Sequence, residues 1–156
     1  MVIVIARGVT KSYGFLFWLV FFLFSLPLQA IDNPDAPDLV AEFIARSATY
    51  EEMVGMSGGG GREIARAYGT YLNFLDKELN TAYGLLMSKL PSSQQQALRD
   101  SQRMWLAFRD AEFQFIVGNW TRDRFGTSAY ISVGDYRSSL VKERIIQLLH
   151  YTKNYL

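Results

Sequence analysis

The stretch Ala97–Phe115, ALRDSQRMWLAFRDAEFQF, joins an apolar helical stripe to a run of Arg, Asp and Glu, and the rest of the chain is read outward from it. Leu98, Ser101, Trp105, Phe108, Glu112 and Phe115 recur at steps of three and four. That spacing predicts one helix face carrying an indole, two phenyl rings and a carboxylate. A carboxylate buried on such a face requires a partner. Pro91 closes the segment upstream, and Ser92, Ser93, Gln95 and Gln96 offer caps, so the helix is expected from about Ser92 to Val117.

Before Pro91 the pattern is long. Ile64, Tyr68, Tyr71, Leu72, Leu75, Leu79, Tyr83, Leu86 and Leu90 hold a helical period over about 29 residues, roughly 43 Å of helix. The connection at Pro91 is so short that the two long helices must be antiparallel neighbours. Gly69 and Gly84 interrupt the first of them, each at about 1 kcal/mol relative to Ala, and close approach of a neighbouring helix is the expected compensation.

After Val117, Gly118 and Gly126 bracket NWTRDRF, a polar and aromatic loop expected to continue through Gly134. It is the least regular part of the chain after residue 30 and the surface on which function is expected. Trp120, Arg122, Asp123, Arg124 and Phe125 are its candidate partner-binding residues; the alternative is that Trp120 and Phe125 merely lid the bundle. A last helix, from around Asp135 to Tyr155, is expected to bury Leu140, Val141, Ile145, Leu148 and Leu149.

Toward the N-terminus, Leu39, Val40, Phe43, Ile44 and Ala48 give a short amphipathic helix, with Thr49 and Glu52 as a capping box for a restart. SGGGG, Ser57–Gly61, reads as a flexible linker: no strand precedes it and no Lys-Ser or Lys-Thr follows, which argues against a phosphate-binding loop. Residues 1–30 carry two basic residues, the apolar run GFLFWLVFFLFSL and then PLQA, the three-part layout of a secretory signal peptide with cleavage after Ala30. Leu28 is not the ideal residue before such a cut, so an uncleaved membrane anchor is the alternative. Either way the remainder is exported. The expected division is 1–30 signal peptide, 31–61 short helix and glycine-rich linker, and 62–156 helical domain.

Composition closes off several chemistries. Of 16 Lys and Arg against 15 Asp and Glu, Arg7 and Lys11 fall in the signal segment, leaving 14 against 15 and no field of one sign to draw nucleic acid. With no cysteine and one histidine, His150, neither a zinc thiolate site nor a two-histidine metal site can be built. No cofactor and no metal are expected. The fold class is all-α: a small helical bundle on two long antiparallel helices plus a C-terminal helix, with a short N-terminal helix.

Arg103, Trp105, Arg109, Asp110 and Glu112, with Arg144 from the last helix, form the candidate structural network. Asp110 and Glu112 resemble paired carboxylates, but residues two apart on a helix point about 200° away from each other and cannot flank one bond. No catalytic residue is assigned. Glu112 is expected to accept from an arginine such as Arg144, and Asp110 to pair with Arg103 or a neighbouring backbone group. On that reading Glu112→Ala destabilises the fold by a few kcal/mol, about what an unpaired buried partner costs.

These residues resemble the family named for the N-terminal domain of the lysozyme inhibitor LprI, small exported bacterial proteins. Asp76, Leu79, Asn80, Tyr83 and Leu86 match one half of its pattern. Leu98, Arg99, Gln102, Arg103, Trp105, Phe108, Arg109, Asp110 and Glu112 match the other, followed by Gly126, Thr127, Leu140 and Arg144. The resemblance covers about Asp76 to Leu149. Family members commonly carry cysteines where this chain has Phe113 and Tyr136, so an aromatic contact is expected to replace the staple.

The resemblance implies an exported, periplasmic or secreted, non-catalytic binding protein that inhibits a lysozyme-like muramidase. Its partner would be a protein, with no nucleic acid, and a membrane only if residues 1–30 are retained. A structural or scaffolding module of a periplasmic complex is the alternative, and a hydrolase using Asp110 and Glu112 is a third reading.

Overall fold

The first helix, α1 (Leu39–Gly55), starts where the Asp38 carboxylate accepts a hydrogen bond from the Ala41 N–H at 2.9 Å. The computed structural model describes residues 37–156; the signal-peptide expectation and most of the lead-in lie outside the described residues. Four further helices follow: α2 (Gly61–Lys89), α3 (Ser92–Asn119), α4 (Arg122–Phe125) and α5 (Ser128–Lys153). Among the described residues there is no strand, so the chain is all-α, as its periodicity predicts.

The α1 helix runs unbroken through Thr49, where a restart was expected. Contacts on both sides of that position hold it: Phe43 is fully buried, the Ser47 hydroxyl meets that of Tyr71 at 2.8 Å, and Tyr50 stacks on Phe74 at 4.1 Å. Arg46 reaching Glu78 at 2.7 Å, and Glu51 further along α1 meeting Tyr71 further back on α2 at 2.7 Å, make the two helices antiparallel. The glycine run then releases the chain, with Gly60 extended and Gly61 opening α2.

The core gathers between α1, α2 and α5, where Phe43, Leu75, Leu86, Val141, Ile145 and Leu148 lose nearly all contact with water. The α2 helix packs most extensively on α5, and the two run parallel, Gly61 lying against Tyr130 and Tyr68 against Gly134. Here the expectation for the glycines is corrected. A Cβ on Gly69 or Gly84 would meet nothing within 4 Å, whereas one on Gly134 would fall 2.2–2.4 Å from the Tyr68 ring carbons. Gly134 is a close-approach glycine, as is Gly61, where a Cβ would fall 2.6 Å from the Tyr130 ring. Gly134 reads as a loop residue in sequence, but it lies buried inside α5, which therefore begins at Ser128 rather than near Asp135.

The α3 helix returns antiparallel to α2, with Arg109 Nη1 3.6 Å from an Asp76 oxygen and Arg99 donating to Met87 Sδ at 3.9 Å. It seats a different face from the one expected. Leu98, Gln102 and Ile116 are buried and Trp105, Arg109 and Phe113 half-buried, at steps of three and four. Phe108 and Phe115 instead stand 53% and 64% exposed. The helix turns its polar Gln102 inward because Arg144 on α5 needs an acceptor there.

Candidate functional site

Two long helices meeting along an arginine-bearing seam place the site at the α3–α5 interface. Arg144 is buried and donates from Nε to Gln102 Oε1 at 3.1 Å, from Nη2 to Ser101 Oγ at 3.3 Å and from Nη1 to Gln147 Oε1 at 2.5 Å. Burial holds its guanidinium below the ordinary arginine value. No carboxylate pairs with it, so the expected Glu112–Arg144 pair is corrected: neutral amide and hydroxyl acceptors take the place of the acid. Glu112 is half-buried and makes no hydrogen bond or ion pair among the described residues. Asp110 accepts from Arg109, at 2.9 and 2.7 Å, and Arg103 from the same helix pairs with Asp100 at 2.9 Å. The expected Asp110–Arg103 pair therefore does not form either.

What joins the two helices is a ladder of cations and rings. Arg144 lies 5.7 Å from the Trp105 ring centroid, Arg109 lies 5.8 Å from both Trp105 and Phe113, and Arg137 lies 4.2 Å from Phe113. A guanidinium over an aromatic face stabilises by about 0.5–1 kcal/mol when exposed and about 2 when desolvated, so the ladder rivals an ion-pair network without burying a carboxylate. Phe113 and Tyr136 were expected to touch each other. Each instead engages a neighbour of the other: Phe113 meets Arg137, and Tyr136 stacks on Trp120 at 5.7 Å.

At the end of this seam stands the segment expected to be a long loop. It is short and mostly helical, turning at Gly126 with φ of 58°. Trp120 packs on Phe125 at 4.7 Å and Arg124 lies over Phe125 at 5.4 Å. The two rings are half-buried against the bundle end, while Arg122, Asp123 and Arg124 are exposed. The five candidate contact residues thus sit together on one rigid turn, its rings acting as the base and its charges as the outward face.

Two concavities flank the seam. A cleft of about 590 Å³ between α2 and α3 is lined by Asp76, Asn80 and Tyr83 on one side and Arg99, Arg103 and Arg109 on the other. A second pocket, about 320 Å³, lies among α2, α3 and α5 beneath Trp120. Among the described residues no group of three or more His, Cys, Asp or Glu is placed to hold a metal ion.

The family model described as lysozyme inhibitor LprI matches residues 56–148, more than half of the chain. The chain belongs to the LprI lysozyme inhibitor family. The match begins at Met56, some twenty residues before the first motif residue visible by eye, and so takes in the glycine run and the first turns of α2. No curated protein and no solved structure matches. Among the LprI pattern residues, Trp105 and Arg144 build the seam, Asp76, Asn80, Tyr83, Arg99 and Arg103 line the α2–α3 cleft, and Gln102 and Arg109 do both. Arg137 and Tyr68 escaped the sequence reading. Arg137 falls in the first turn of the expected last helix, where no spacing marks it as lying over Phe113, and a lone Tyr at helical spacing carries no sign that its hydroxyl will meet Asp135.

Proposed function

We propose that this chain is an exported, non-catalytic binding protein of the cell envelope that inhibits a lysozyme-like muramidase through Trp120, Arg122, Asp123, Arg124 and Phe125. The observation that carries this reading is the LprI family match over residues 56–148. Chemistry supports the choice of surface. Glycoside hydrolases of this kind work with two carboxylates flanking the scissile bond, and an exposed guanidinium can pair with such an acid. Arg122 and Arg124 are exposed on a turn backed by the contacts of Trp120 with Phe125 and Tyr136, which lowers the loop ordering that docking would require. The non-catalytic reading rests on Asp110, which is held by Arg109, and on Glu112, which lies two residues away on the same helix. Export rests on the signal-like pattern of residues 1–30; no described helix is long and apolar enough to cross a membrane.

The test is lysis of peptidoglycan by c-type, g-type and bacterial muramidases with the purified protein present. Inhibition of at least one at micromolar concentration is expected, and no effect on any of them sinks the proposal.

One observation favours a scaffolding role instead. Met104, Phe108 and Phe115 stand 72%, 53% and 64% exposed at spacings that put them on one outward stripe of α3. Crosslinking in the native cell separates the two: a muramidase captured through α4 supports inhibition, and a resident envelope complex captured through α3 supports scaffolding.

A further inference from the structure

We propose that the pocket among α2, α3 and α5 binds a small anionic amphiphile, a carboxylate carried on an apolar body of about ten non-hydrogen atoms. This proposal does not rest on any muramidase being the partner.

The size follows from the space. About 320 Å³ lies at the lower end of the ~300–1,000 Å³ usual for small-molecule sites, and it holds on the order of ten non-hydrogen atoms at about 30 Å³ each. Leu72, Val117, Trp120, Tyr130 and Val133 give apolar walls. The charged residues lining the pocket are Arg122 and Arg137, both cationic, with no lining acid to neutralise them.

Arg137 supplies the specific signal. Its Nε is shut off from solvent and has no hydrogen-bond partner, and the contact its guanidinium does make is with the Phe113 face. Arg144, on the same helix and equally cationic, has every side of its guanidinium engaged by acceptors. The Arg137 Nε, closed to solvent, is not itself reached from the pocket; the two outer amino groups carry no hydrogen bond among the described residues, and the two oxygens of a carboxylate match that open edge of the guanidinium. Tyr68 also lines the pocket, and its hydroxyl is already committed to Asp135.

Gly69 offers a position from which the pocket can be filled. It lies in the middle of α2, lines the pocket, and a Cβ there would meet nothing within 4 Å. Helix packing does not demand a glycine at this position. A larger side chain would project into the space that the pocket keeps open.

Calorimetric titration of the full chain with octanoate tests the proposal, with octylamine and octan-1-ol as probes of equal length and different head. One saturable octanoate site is expected, with octylamine and octan-1-ol each at least tenfold weaker. Gly69→Leu, which fills the pocket from a position with room for a side chain, should abolish binding while the melting temperature stays level or rises. Arg137→Met should weaken octanoate at least tenfold without unfolding the protein, and so gives a second reading if Gly69→Leu does not fold. Absence of octanoate binding, equal binding of octan-1-ol, or octanoate binding unchanged in either folded variant would overturn the assignment.

Discussion

At Arg144 a guanidinium only 7% exposed sits without any acid, held by Gln102, Ser101, Gln147 and the face of Trp105. Truncating it removes the stem's packing and leaves the buried Gln102 amide unmatched, so Arg144→Ala is expected to cost about 3 kcal/mol in urea unfolding. Glu112→Ala, which touches none of these groups, should stay within about 0.5 kcal/mol of the parent. The few kcal/mol expected at Glu112 from sequence thus belong to Arg144, and a larger loss at Glu112 than at Arg144 would contradict the seam described here. Glu51 gives a second residue-scale test. Its carboxylate accepts from Lys142 at 2.6 Å, Tyr71 at 2.7 Å and Ser47 at 2.9 Å, tying α1 to α2 and α5. The Lys142 hydrogen bond, above all, holds it below the ordinary carboxylate range. A depressed folded value means stability that is present above the unfolded pKa and is lost as pH falls through the folded one. Thermal melts of Glu51→Gln should therefore show a shallower loss than the parent as pH drops below about 4.3, the ordinary Glu value. Parallel profiles would remove Glu51 from the acid response.

Among the elements, α2 and α5 define how tightly the bundle closes. Gly134→Ala drives a methyl into the Tyr68 ring, which its hydrogen bond to Asp135 keeps in place, and should cost about 1–3 kcal/mol. Gly69→Ala and Gly84→Ala meet open space and should each stabilise the fold by up to about 1 kcal/mol in the same denaturation assay. The opposite ranking would place the helix contact elsewhere. These glycines show what was legible in the sequence. Periodicity located α2 and α3 almost to the residue, because long apolar stripes and Pro91 leave little choice. It could not say which glycine touches a neighbour, since a breaker and a close-approach site look alike in one dimension. The seated face of α3 was misjudged for a related reason. Phe108 and Phe115 are the more apolar choice, yet tertiary context places Gln102 inside to meet Arg144. The start of α5 was hidden by Gly126 and Gly134, only the first of which adopts a positive φ.

For the molecule as a whole, α1, α2 and α5 supply the hydrophobic core, while α3 is fastened to it by cation–ring contacts and carries the α4 turn at its end. The family was legible in the Arg-Asp-x-Glu run and its upstream tryptophan, of which Arg109 and Trp105 do structural work at the seam. The apolar pocket was not legible, because its walls come from three helices and its two arginines, Arg122 and Arg137, lie on different elements. The central claim is that the seam holds a rigid turn whose exposed arginines engage an acidic muramidase cleft. It is tested most directly by the inhibition constant of an Arg122→Ala/Arg124→Ala variant against a muramidase that the parent inhibits. An unchanged melting temperature with inhibition weakened at least tenfold is predicted; equal inhibition by the folded variant would contradict it.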